Sequence, residues 1–133
     1  MRRWWRDDPN KEPWTACETF GANVTSPPVM IRSQFGATDE TVSGNYELCV
    51  AVNGQIEHWW TTANPEPGKS ATWARSDTFG NTGGGNDYKA KQVLGPIQSS
   101  FGFDLELVAE LVGGHLQHFW RDWAGWHAGP IFS

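Results

Sequence analysis

Short apolar and aromatic runs alternate along the chain with clusters of Gly, Pro, Asn and Ser, and runs of apolar residues at helical spacing are nearly absent. Only the window 104–113, DLELVAELVG, fits a helical period, and it alternates equally well as a strand. Its place in an internal repeat decides between the two.

Three windows align without a gap: WTACETFG (14–21), WARSDTFG (73–80) and WHAGPIFS (126–133). Each opens on Trp and carries Phe at its seventh place, as Phe20, Phe79 and Phe132. Upstream lie RRWWRDD (2–8), EHWWTTA (57–63) and QHFWRDW (117–123), with Trp5, Trp60 and Trp120 equivalent, Trp4, Trp59 and Phe119 equivalent, and Arg3, His58 and His118 equivalent. The Arg-Asp pair that follows is present as Arg6-Asp7 and Arg121-Asp122 and is replaced by Thr61-Thr62 in the middle copy. Further upstream, NYELCVAVNGQI (45–56) matches DLELVAELVGGHL (104–116), sharing Glu-Leu and a Gly turn, and IRSQFG (31–36) matches IQSSFG (97–102).

The unit has four elements: A (Ile-x-Ser-x-Phe-Gly), B (Glu-Leu plus apolars), C (His-x-Trp, often with Arg-Asp) and D (Trp to Phe). Trp5 and Trp60 are 55 residues apart, and Trp60 and Trp120 are 60 apart. A tight Asn-Gly or Gly-Gly turn joins B to C, a strong hairpin signal. The window 104–113 is therefore a strand, because its counterpart precedes the same turn. Four antiparallel strands at this period predict an all-β fold of β-propeller blades. Residues 1–21 form a half blade, 22–80 a blade and 81–133 a blade, about two and a half in all, against the ~4–8 of a closed propeller. A ring would then be completed by oligomerisation, or the chain is a piece of a longer propeller.

Composition agrees, with 15 Gly, 8 Pro and 9 Trp among 133 residues. The net charge of −5 argues against a nucleic-acid-binding surface, since such surfaces carry a basic excess. No run approaches the ~18 apolar residues of a membrane span, so no membrane insertion is expected. The start, MRRWWRDD, shows no apolar signal region, as expected of a cytoplasmic or non-classically secreted protein and equally of a mature form whose signal has been removed, so the compartment is left open. Cys17 and Cys49 read as small buried residues, with a single bridge left open.

The elements GNYELCVAVNGQIEHWW and FDLELVAELVGGHLQHFWRDWAGWHAGPIFS resemble the repeat of the PLL-like β-propeller lectins, the Photorhabdus type, whose blades carry Glu-Leu, His-x-Trp-Arg-Asp, Trp-His-x-Gly and a closing Phe-Gly. The last unit matches throughout, the middle one departs at Thr61-Thr62, and the first is half present. The resemblance implies sugar pockets at blade boundaries and binding of fucosyl or related glycans.

Sugar binding needs an aromatic face for the apolar side of a pyranose and fixed polar groups for its hydroxyls, and charged partners strengthen those bonds. The candidates are Trp14 with Arg6 and Asp7, Trp73 in the middle copy, and Trp126 with Arg121, Asp122 and His127. Repetition of Trp4, Trp5, Trp59, Trp60, Phe119 and Trp120 at fixed strand positions suits packing, and each Arg-Asp pair fits either ligand contact or a salt bridge fixing the C–D turn. His58 and His118 fall in different blades and His115 and His118 on opposite strand faces, so no metal site is expected. Nor is a cofactor, and no nucleophile elbow, triad order or phosphate loop points to an enzyme. Glycans and further copies of the chain are the expected partners. A protein-interaction scaffold and an engineered or ancestral-type fragment without a sugar site are the rival readings.

Overall fold

The computed structural model describes residues 1–5, 15–35, 44–63, 71–100 and 102–133, without the side chains of Trp4, Trp5, Thr15 and Cys17. It is all-β, with ten strands and a single 3-10 turn at Asn86–Tyr88 among the described residues. β1 (Arg2–Trp5) and β2 (Thr15–Thr19) pair as an N-terminal hairpin. β3 (Val29–Ser33), β4 (Asn45–Val52), β5 (Gln55–Thr62) and β6 (Ala74–Phe79) form the middle sheet in chain order. β7 (Ala90–Gln98), β8 (Leu105–Leu111), β9 (Leu116–Asp122) and β10 (Gly125–Phe132) form the C-terminal sheet, again in chain order. Every pairing is antiparallel. Among the described residues no helix is long and apolar enough to cross a membrane.

The repeat elements B, C and D coincide with strands in the two complete copies, whereas element A begins earlier. β3 starts at Val29 and β7 at Ala90, and the 3-10 turn at Asn86–Tyr88 and the start of a strand fall within 81–93. Pro96 sits in β7, where the register with β8 shifts between Val93 and Pro96, as expected of a residue with no N–H to give a ladder. His115 lies in the turn before β9 and not on the strand, because the Gly113-Gly114 connection is wider than its counterpart. The Leu111 N–H closes that connection on the His115 carbonyl at 2.8 Å. The Asn53-Gly54 turn is tight, with φ of 50° and 82°. Both values lie in the left-handed region that Asn tolerates and Gly favours, and they match the twist of the flanking strands.

The three units stack face to face. Leu48, Val50 and Val52 on one face of β4 pack with Trp59, Trp73, Met1, Phe20 and Val24, joining the middle sheet to the hairpin. On the other face, Cys49, Ala51 and Ile56 meet Ala90, Val93, Leu107, Ala109 and Phe119 of the C-terminal sheet. Strand β4 is therefore covered on both faces, and its residues Glu47–Val52 are all buried. Burial of β8 instead alternates residue by residue, because only one face of the C-terminal sheet is covered. The stack does not close into a ring among the described residues.

Candidate functional site

A cleft of about 470 Å³ opens between the middle and C-terminal sheets. The middle sheet contributes Asn45 and Glu47 from β4, and His58, Trp60 and Thr62 from β5. Phe35, just after β3, and Arg121 from β9 complete the lining. Strand alternation explains the set: His58, Trp60 and Thr62 are spaced by two and share one face of β5.

The floor is a fixed polar network. The Glu47 carboxylate, with the residue 1% exposed, accepts from Ser33 Oγ at 3.0 Å, Asn45 Nδ2 at 3.2 Å and His58 Nε2 at 2.7 Å. His58 is diagonal to Glu47 across the hairpin, since Glu47 faces Trp60 and Cys49 faces His58. Its Nδ1 is buried without a hydrogen-bond partner. Cys49 below is a free, buried thiol. Burial, reinforced by the Glu47 charge, pushes its pKa far above the ordinary thiol value, so it is held protonated and unreactive.

The roof is aromatic and cationic. The Arg121 guanidinium lies over the Phe35 ring at 4.1 Å from its centroid, and Phe35 stacks on Trp123 at 4.5 Å. Arg121 Nε and Nη1 are shielded from solvent and have no acceptor. Trp60 is 38% exposed, so part of its ring remains open at the cleft. Unsatisfied buried polar atoms are costly in a folded protein, and here they occur on two residues that line the cavity, Arg121 and His58.

No family model, curated protein or solved structure matches this chain.

The candidate residues read from the sequence do not all meet here. Arg121 lines the cleft. Asp122 instead fixes the β9–β10 turn, accepting from the Ala124 N–H at 2.7 Å, the Gly125 N–H at 3.2 Å and His127 Nε2 at 3.0 Å. Of the two roles open to the Arg-Asp pair, Asp122 takes the turn without Arg121, which has no ion pair among the described residues. Trp126 packs into the core, stacked on Phe79 at 4.3 Å and edge-on to His58 at 5.5 Å, with its indole N–H unpartnered. Trp73 stacks on Phe20 at 5.1 Å and lines a second cleft of about 390 Å³ between the hairpin and the middle sheet, with Arg2, Arg3 and Tyr46. Arg6, Asp7 and Trp14 lie outside the described residues. Among the described residues no three His, Cys, Asp or Glu side chains are grouped to hold a metal ion.

Sequence reasoning assigned Trp60 to packing and singled out neither His58 nor Glu47 as a binding residue. The signal that marks their meeting is the register: a two-residue Asn-Gly turn sets Glu47 opposite Trp60 and diagonal to His58.

The Asp122 carboxyl is held below the usual aspartate range, first by His127 and then by the Ala124 N–H. A lowered folded value means that this contact supports the turn at neutral pH and is lost as pH falls through that value. An NMR titration should show the Asp122 midpoint rising toward the ordinary aspartate value in H127A. An unmoved midpoint would assign the effect to the backbone donors alone.

Proposed function

We propose that this protein is a carbohydrate-binding protein, a lectin, whose sugar site is the cleft between the middle and C-terminal sheets. The observation that carries the reading is the meeting of the open Trp60 ring with Arg121 and the Glu47–His58 pair around one cavity, with polar atoms of Arg121 and His58 left unpartnered. Its volume of about 470 Å³ lies within the roughly 300–1,000 Å³ range of small-molecule sites. The lining holds donors on Arg121 and acceptors on Glu47 and His58. A neutral polyol satisfies both kinds, because each hydroxyl donates and accepts. An anionic ligand would meet the Glu47 carboxylate, and a cationic one Arg121, so a neutral sugar suits the site best.

The sheets are read as propeller blades, about two and a half per chain, with the ring completed by further copies. Clefts would then recur at successive boundaries, and weak sites on one particle gain avidity on dense glycans. The two clefts described are chemically unequal, since Thr61 lines the hairpin-side cleft at the repeat position that Arg121 holds in the other. Fucosyl glycans are the first class to test, given the resemblance of the His-x-Trp-Arg-Asp and Trp-His-x-Gly motifs to those of PLL-like lectins.

A glycan array followed by calorimetry tests the site. Arg121→Met keeps an unbranched side chain of similar length beside Phe35 and removes the donors. Hydrogen bonds to charged groups contribute about 1.5–3 kcal/mol, so sugar affinity should fall roughly 10- to 100-fold with the strand signal in circular dichroism unchanged. Trp60→Ala should abolish the stacking contribution in the same assay. A folded wild type that retains no glycan would end the lectin reading and leave the scaffold reading in its place.

A further inference from the structure

We propose that the outer face of the C-terminal sheet docks a second copy of this chain, head to tail, so that the stack of sheets continues from one copy into the next. The inference deepens the assembly part of the reading above and does not depend on the sugar site.

It rests on a packing interface already present within the chain. The middle sheet offers the C-terminal sheet a strip made of Ile31, Glu47, Cys49, Ala51, Ile56 and His58. The strand pairings place Ile97, Glu106, Val108, Glu110, Leu116 and His118 at the same six positions of the C-terminal sheet. In the middle sheet the five positions after Ile31 are buried, with Ile56 and His58 at 0% and 1% exposed. On the C-terminal sheet the same strip faces solvent, with Ile97 at 61% and Leu116 at 37%. The Glu–His pair recurs with the same atoms, Nε2 to Oε2, at 2.7 Å under the covering sheet and 3.2 Å on the open face. A shallow groove of about 400 Å³ runs between Leu94, Ile97, Val108 and His118.

An apolar strip of this kind on an uncovered sheet marks an interaction surface. The chain also displays the manner of covering. What lies on the Glu–His strip of the middle sheet is the opposite face of the next sheet, carrying Leu107, Ala109 and Phe119. Continuing that stack requires a heterologous contact between unlike faces. A symmetric face-to-face pairing would instead bury the Glu106 carboxylates of both copies in one contact, and like charges resist such burial. Glu110 is the one position whose chemistry departs from the buried strip, standing where the middle sheet has Ala51. It is bound by Lys91 at 2.6 Å and Gln92 at 2.6 Å, so it enters the contact already partnered.

Sedimentation velocity across a dilution series tests the proposal on the full chain. The wild type should show a mass above one chain that declines on dilution, and Ile97→Asp should shift the midpoint of that decline at least tenfold higher in concentration. Ile97 is exposed, so the circular dichroism of the variant should match the wild type; should it not, Leu116→Lys puts a charge at the other end of the strip for the same measurement. A tagged I97D chain keeps the opposite end of its stack unchanged, so it should capture untagged wild type but not untagged I97D. A wild type of one-chain mass at every concentration overturns the proposal. So does assembly undiminished by I97D, or failure of I97D to capture wild type, which would mark face-to-face pairing. The sugar cleft lies within one chain, so calorimetry with glycan on monomeric I97D reports on the lectin reading separately.

Discussion

Phe119→Ala should lower the unfolding free energy by about 3–5 kcal/mol, read from the urea midpoint of the single chain. Phe119 is the largest fully buried side chain described, at 1% exposed. It belongs to the cluster joining the two four-stranded sheets and meets Phe79 edge-on at 5.2 Å. The ring fills the seam from the β9 side, while rigid strands border the space it would leave, so the cavity cannot collapse without moving a sheet. Native domains hold only about 5–15 kcal/mol in all, and the substitution removes a large share of that. Trp123→Ala is the matching control. Trp123 is 77% exposed and stacks on Phe35 at the cleft rim, so the midpoint should move by less than about 1 kcal/mol. Equal losses in the two variants would mean that the sheets are not held together through this seam.

Glu47→Ala should be nearly as damaging, and Glu106→Ala should not. The two residues occupy one position of the repeat and make the same contact to histidine. Removing Glu47 strands His58 in a buried site and leaves Ser33 Oγ and Asn45 Nδ2 without their acceptor. Breaking a buried pair from one side costs about 3–5 kcal/mol. Glu106 and His118 have side chains 33% and 27% exposed, and water can replace either partner. There the expected loss is about 0–1 kcal/mol, measured at dilutions where single chains predominate. At higher concentration Glu106→Ala should weaken assembly if the open face docks a second copy. Urea curves for both variants give the comparison directly. A Glu106→Ala loss as large as that of Glu47→Ala in the isolated chain would mean that burial does not set the worth of this pair.

Much of the fold was legible because the repeat supplies two views of each strand. The window 104–113 is ambiguous alone, and its alignment with 45–52 before a Gly turn makes it a strand, as β8 proves to be. The start of β7 was not legible. Element A was anchored on Ile-x-Ser-x-Phe-Gly, whereas the strand begins at Ala90, in a stretch that the Gly83–Gly85 run made resemble a connection. The candidate site was only partly legible. Arg121 was read as a ligand contact and lines the cleft, while its neighbour Asp122 turns to the backbone of its own loop. Trp60 was set aside as packing because it repeats, yet repetition fixes a strand position and says nothing of how far the covering sheet extends over it.

The sequence by itself determined the strands, their antiparallel order and the tight Asn53-Gly54 turn, because period-two alternation and turn chemistry are local properties that each segment carries alone. It also determined which positions in successive sheets are equivalent. Only the tertiary structure decided what each equivalent position meets. Glu47 and Glu106, His58 and His118, Ile31 and Ile97 are matched in the repeat, and one of each pair is covered by the next sheet while the other faces water. Burial depends on what lies across the face, at a distance in sequence that no local pattern encodes. The same dependence turns one Glu–His pair into the floor of a cleft and leaves the other on an open surface.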